Sequence, residues 1–155
     1  FIASSGTIGG ALEASLQKLP AIAASMYLDP EAFRAVSQRD KALSNDLEDH
    51  LVHATRILKT FASTFIENHR PQYGQVHSLN FPNRNLDQAS IHKARAARTL
   101  SSSLFERDGD QFRFAYKPLE TLDGDEDPTD RNFVHQGQIT HTIIDYSTID
   151  QKSYK

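Results

Sequence analysis

The stretch Ala11-Leu12-Glu13-Ala14-Ser15-Leu16-Gln17-Lys18-Leu19-Pro20-Ala21-Ile22-Ala23-Ala24-Ser25-Met26 opens the patterned part of the chain, and the fold class turns on how it is read. Leu12, Leu16, Leu19, Ala23 and Met26 recur at spacings of four and three, which places them on one helical stripe. Pro20 removes a backbone donor and crowds the preceding turn, so it should bend or divide that helix. Upstream, Phe1 to Gly10 has neither the charged flank nor the length of a signal peptide and reads as a flexible entry. A chain that starts at Phe1 and not at methionine reads as a processed product or an excised fragment.

Downstream, Asp29-Pro30-Glu31 is a helix start: a side-chain acceptor, a proline at the first helical position and an acid at the positive end. A short helix through Ala32, Phe33 and Val36 follows. The strongest pattern in the chain is Leu47, Leu51, Ala54, Leu58, Phe61 and Phe65, again at alternating spacings of four and three. It predicts one long amphipathic helix over roughly 45–68, capped by Ser44 or Asn45 and stopped by Asn68-His69-Arg70-Pro71. The same 47–65 seam has heptad spacing, so two roles stay open: a core helix of this chain, or a contact between copies in a homo-oligomer. No glycine occurs between positions 11 and 73.

After Pro71 the rhythm shortens. Gln75 to Phe81 alternates imperfectly, Phe112-Arg113-Phe114-Ala115-Tyr116 alternates cleanly, and Ile139 to Tyr146 is rich in β-branched residues; all three read as strands. Glu106 to Asp110 reads as a turn, and Ser90 to Leu104 as a helix with a weak face of Ile91, Ala94, Ala97 and Leu100. The expected fold is therefore α+β: an N-terminal helical layer, dominated by the long helix, packed on a small antiparallel sheet from the C-terminal half. The expected organisation is a single domain over 1–155, with a helical half at 11–69 and a mixed strand and loop half at 70–155.

Composition narrows the function classes. Leu, Ile, Val and Phe make up about a quarter of the 155 residues, above the roughly 20 % below which charged chains stay unfolded. The formal net charge of -3 gives no basic field for nucleic acid, and no apolar run reaches the ~18–20 residues that span a bilayer. The absence of cysteine excludes disulfide scaffolds, thiolate catalysis and thiolate-held metal centres.

Four groups of residues are candidate sites. Arg84, Lys93, Arg95 and Arg98 give the segment 84–98 a charge of +3, against -6 over 120–130, and together form a candidate anion site. Asp49, His50 and His53, with Asp46, lie at spacings of three and four on the long helix and form a candidate metal site. They do not match His-Glu-x-x-His, whose histidines are four apart. Asp123, Asp125 and Asp127 have the opening spacing of a calcium loop, but Pro128 stands where that loop needs glycine and Val134 where it needs a bidentate glutamate. A calcium site of another type stays open there. His141 and Asp145 share a strand face as a candidate base pair, with no Gly-x-Ser-x-Gly elbow to supply a nucleophile, and Ser101-Ser102-Ser103 reads as a turn.

The reading that follows is a non-enzymatic ligand-binding or sensing module, extracytoplasmic or processed, that takes a small anionic ligand. Two alternatives stand beside it: a processed structural subunit of a virion or multi-chain complex docking on partner protein, and a histidine-dependent metalloenzyme. No cofactor is named by any motif in the sequence.

Overall fold

The computed structural model describes residues 5–37, 43–100, 103, 105–114, 119–124, 126 and 128–147. Helix α1 (Gly6–Leu16) begins at Ser5, whose Oγ accepts from the Ile8 backbone N–H at 3.4 Å. It ends well short of Met26. Lys18 takes a left-handed φ of 58°, and the N–H groups of Lys18 and Leu19 donate to the carbonyls of Ser15 and Ala14, a Schellman closure that completes the helix before Pro20. The residues beyond, Ile22–Met26, form strand β1. The helical stripe expected from Leu12 to Met26, bent or divided at Pro20, is thereby overturned beyond that proline, and Leu19 is 53 % exposed.

The physical reason lies in the alanines. Ala21 and Ala23 are buried together with Ile8 and Ala11 of α1, so their small side chains let the helix approach the strand. An uninterrupted small apolar run is what a strand covered on both faces looks like. β1 pairs in parallel with β2 (Gln75–Phe81), in the register Ala23 to Ser78 and Met26 to Phe81.

Helix α2 (Pro30–Ser37) starts on Asp29, whose Oδ1 accepts from the backbone N–H of Glu31 and Ala32 at 3.1 and 2.8 Å. Helix α3 (Asn45–Asn68) is capped by Ser44, which accepts from Leu47 N–H at 3.3 Å, and closes where His69 N–H donates to the Phe65 carbonyl. Its inward stripe packs Ala54, Ile57, Leu58 and Phe61 on Leu79, Phe81 and Ile139 of the sheet. The 47–65 seam is thus largely spent on the chain's own sheet, although Leu51 faces outward.

Strand β3 (Ile91–Lys93), strand β4 (Thr99–Leu100), the hairpin of β5 (Phe105–Asp108) and β6 (Gln111–Phe114), strand β7 (Glu120–Thr121), helix α4 (Asp130–His135) and strand β8 (Ile139–Asp145) complete the described elements. Over its described residues, 90–100 and 103, the expected helix is absent: β3 pairs with β8, Arg95 bridges Thr129, and β4 pairs with β7. Downstream acids hold this backbone extended, since Ala97 N–H donates to Asp130 and Arg98 N–H to Asp123.

The main sheet has the order β1-β2-β8-β3, and two of its three ladders, β1 with β2 and β3 with β8, are parallel; β2 with β8 is antiparallel. Helix α1 packs on one face and α3 on the other. This corrects the α+β expectation of a helical layer on an antiparallel sheet. The architecture is α/β, with helices on both sides of a mixed, largely parallel sheet. Among the described residues, no helix is long and apolar enough to cross a membrane.

Candidate functional site

In open α/β sheets, ligands bind beyond the carboxyl ends of parallel strands. One of the two parallel pairs here is β1 with β2. Strand β1 runs into Tyr27, whose N–H extends the pairing by donating to the Phe81 carbonyl at 2.8 Å, and then into Asp29. Strand β2 runs through the buried Pro82 into Asn83 and Arg84. Asn83 Nδ2 donates to Asp29 Oδ2 at 2.8 Å, which ties the two strand ends together.

The third wall is α4. Thr129 is fully buried at its N-cap, and both its hydroxyl and the Asn132 amide take part in the cap. His135 closes the helix, with its ring centroid 4.9 Å from that of Tyr27 and its carbonyl accepting from Arg84 Nη2 at 2.9 Å. Tyr27, Asp29, Asn83, Arg84, Val134 and His135 line a cleft of about 300 Å³.

Electrostatics make the cleft suited to an anion. Desolvation, then the guanidiniums of Arg131 and Arg84, push the His135 imidazole below its ordinary value, so the ring is neutral at pH 7. Asp29 is lowered by the Ala32 N–H first, then by Asn83, and its carboxylate is spent on helix capping and strand tethering. The Arg84 guanidinium and a neutral imidazole thus line a space whose one carboxylate already has partners. The arrangement can hold a phosphate or carboxylate and offers the His135 ring for proton transfer.

The four cations expected to act together are separated. Arg84 is in the cleft, whereas Arg95 Nη2 and Arg98 Nε both reach Asp123 Oδ1, at 3.0 and 2.9 Å. Lys93 lies on the α3 face of the sheet, beside His141 in a depression also lined by Phe61, Phe65, His69 and His77. Asp123 is buried, and its pKa is pushed down to about 2, chiefly by the Arg98 N–H and further by both guanidinium groups. Its partners Asp125 and Asp127 of the proposed calcium loop lie outside the described residues, as do Ser101 and Ser102.

Asp49, His50 and His53 line a depression of about 680 Å³ between α3 and a 3-10 turn at Leu86–Gln88. His53 Nδ1 meets Asp87 Oδ1 at 3.0 Å, and His50 Nδ1 meets the Asp46 carbonyl at 2.8 Å. The lining of this depression sets Asp49 and the exposed Asp87 beside Arg56, so acids and a cation are mixed there. Among the described residues, no group of three or more His, Asp or Glu is arranged to hold a metal ion. His141 is not engaged with Asp145; it bonds to His77, while Asp145 accepts from the Ser147 N–H.

Tyr27, Asn83 and His135 were not among the sequence candidates. They come from three segments that only the β1 and β2 pairing brings together. The available signal was the polar Asn83-Arg84 directly after the strand and proline at Phe81-Pro82.

A phosphate-sized cleft at the carboxyl end of a parallel strand pair is the arrangement of α/β enzymes acting on phosphorylated compounds. The comparisons agree on one family. The Survival protein SurE family matches residues 1–105, so the chain belongs to the SurE family. It is 38 % identical over 82 residues to the 5'-nucleotidase SurE of Roseobacter denitrificans, an alignment covering 50 % of this chain and 26 % of that protein. It is 28 % identical over 155 residues to the 5'-nucleotidase SurE of Methanocella arvoryzae, covering 97 % of this chain and 56 % of that one. The chain thus spans between about a quarter and about half the length of these curated relatives.

The crystal structure of the SurE protein from Aquifex aeolicus superposes with a TM-score of 0.57 at 18 % identity, over 99 % of this chain and 55 % of that one. That likeness supports the α/β assignment and the correction of the expected antiparallel architecture. Family membership also overturns the expected non-enzymatic sensing or ligand-binding module and the processed structural subunit, because the curated relatives are named as enzymes.

Proposed function

We propose that this chain forms part of a 5'-nucleotidase, and that the cleft beyond β1 and β2 receives the phosphate of a nucleoside 5'-monophosphate. The observation that carries the reading is Arg84, held by the His135 carbonyl at the strand ends with its charge directed to the cleft that Tyr27 and His135 also line. The relatives named 5'-nucleotidase supply the reaction class. On this reading the small anion expected from the basic segment is the substrate phosphate, held by Arg84 and not by Lys93, Arg95 or Arg98. A neutral His135 is the group placed to accept or return a proton as the phosphoester opens.

Calorimetric titration with adenosine 5'-monophosphate tests it. Binding should weaken at least ~10-fold in Arg84→Ala, because a charge-assisted contact is worth about 1.5–3 kcal/mol. Equal affinity in Arg84→Ala and the parent chain, or no binding to the parent chain, overturns it.

A further inference from the structure

The depression between the end of α3 and the sheet encloses about 390 Å³ and shares no lining residue with the cleft beyond β1 and β2. Its wall is built of rings. Phe61 stands edge-on to His141 with centroids 5.2 Å apart, Phe65 is tilted on His77 at 4.4 Å, and His77 stacks on His141 at 5.1 Å. Ile143 adds an exposed aliphatic rim. The polar atoms of the buried His77 are already spent, one ring nitrogen on His141 at 2.9 Å and the other on Gln75 Oε1 at 3.3 Å. No Asp or Glu is among the described residues that line this space. Lys93 stands beside His141 as its register partner across β3 and β8. Desolvation first, then the Lys93 charge, hold the His141 imidazole below its ordinary value, so the ring is neutral at pH 7 and the ammonium supplies the charge of that wall. Among the described residues, Lys93 has no ion-pair partner.

We infer that this depression is a second binding site, for an aromatic monocarboxylate whose ring packs against Phe61, Phe65 and Ile143 while its carboxylate meets Lys93. An apolar space edged by one uncompensated ammonium is complementary to an apolar body that carries a single negative group. Aromatic rings gain from edge-to-face and offset contacts beyond the area they bury, and this wall offers several rings, so a flat ligand is favoured over a saturated one. A phosphate would bring more charge than one ammonium balances into a wall that is otherwise mostly apolar. Lys93, expected from the sequence to act with Arg84, Arg95 and Arg98, thus serves an anion site of its own. The inference stands apart from the phosphate reading, because no residue is common to the two spaces.

Three probes test it: 2-naphthoate, its uncharged counterpart 2-naphthamide, and decahydro-2-naphthoate, which keeps the carboxylate on a saturated skeleton. Each is titrated into isotope-labelled protein and followed by nuclear magnetic resonance at the His77 and His141 ring signals. The parent chain should bind 2-naphthoate saturably, at least ~10-fold tighter than the amide, because a charged contact is lost. It should also bind it at least ~3-fold tighter than the saturated acid, because the ring contacts are lost. The Arg84 and Tyr27 signals should stay unmoved. Lys93→Gln should weaken 2-naphthoate at least ~5-fold and leave the amide unchanged, and Ile143→Glu, which sets an acid on the rim, should weaken 2-naphthoate by at least as much. Both variants replace exposed side chains, unchanged circular dichroism would show that each is folded, and one folded variant suffices. Equal affinity for 2-naphthoate and either comparison probe, full affinity in a folded variant, or no saturable shift at millimolar 2-naphthoate overturns the inference. None of those results touches the phosphate reading, which the adenosine 5'-monophosphate titration decides.

Discussion

The ring nitrogen Nδ1 of His77 lies 2.9 Å from Nε2 of His141, joining β2 to β8 beneath the end of α3. His77 Nε2 is 3.3 Å from Gln75 Oε1, an atom that can only accept. The assignment that satisfies both contacts puts the His77 proton on Nε2, so His141 Nε2–H donates to His77 Nδ1. A second proton on His77 would set two donors face to face. Burial first, then the neighbouring His141 and His69, lower the His77 pKa to about 4.

Acid should therefore weaken this protein in a defined window. Between roughly pH 6.5 and 4 the unfolded chain binds the His77 proton and the folded chain does not, so stability falls as pH falls through that range. Below about 4 this contribution is fully lost. The shift corresponds to at most about 3 kcal/mol. Urea unfolding at pH 7, 5.5 and 4 measures it, and His77→Gln should flatten the dependence. A parent chain equally stable at pH 7 and pH 4 would show that the pair carries no such linkage.

Core placement on α3 is tested by two leucines of opposite fate. Leu79 of β2 is fully buried under α3, and Leu79→Ala should cost about 2–5 kcal/mol. Leu51 shares the helical stripe in sequence but is 38 % exposed, and Leu51→Ala should stay within about 1 kcal/mol of the parent. Denaturant midpoints decide, and a reversed order would turn α3 over.

Those two residues also show what periodicity could and could not reveal. The bounds of α3 were legible because Ser44, the heptad leucines and Pro71 are local signals, and local signals survive in any tertiary setting. Strand β1 was not legible. Alanine is intrinsically a helix former, and Ala21, Ala23 and Ala24 are extended only because β2, more than fifty residues away, pairs with them. The segment from Arg95 to Leu100 was misread for a related reason: Asp123 and Asp130 hold it from a distance. Of the candidate site, only Arg84 stood out as a basic residue. Tyr27 and His135 have no meaning for an anion until the parallel pair sets Asp29 beside Asn83.

Asp123 should act as a structural clamp for that same segment. It gathers the Arg98 N–H and the side chains of Arg95 and Arg98, so Asp123→Asn should lower the melting temperature by several degrees. Its depressed pKa adds a second acid window. This contribution is present above about pH 4 and is lost as pH falls toward about 2. Thermal melts of parent and variant at pH 7 and pH 2.5 check both points: the variant should be the less stable at pH 7, and the gap should shrink at pH 2.5.

The most direct test of the central claim is to locate the phosphate on the folded chain by nuclear magnetic resonance, using isotope-labelled protein titrated with adenosine 5'-monophosphate. The account predicts saturable shifts of the Arg84 side-chain N–H and the Tyr27 and His135 ring signals. The His135 titration midpoint should also rise, because a neighbouring phosphate favours the imidazolium. His50 and His53, in the larger depression on α3, should stay unmoved. Saturable shifts centred on His50 and His53 with Arg84 and His135 unchanged, or no shift anywhere at millimolar nucleotide, would contradict it.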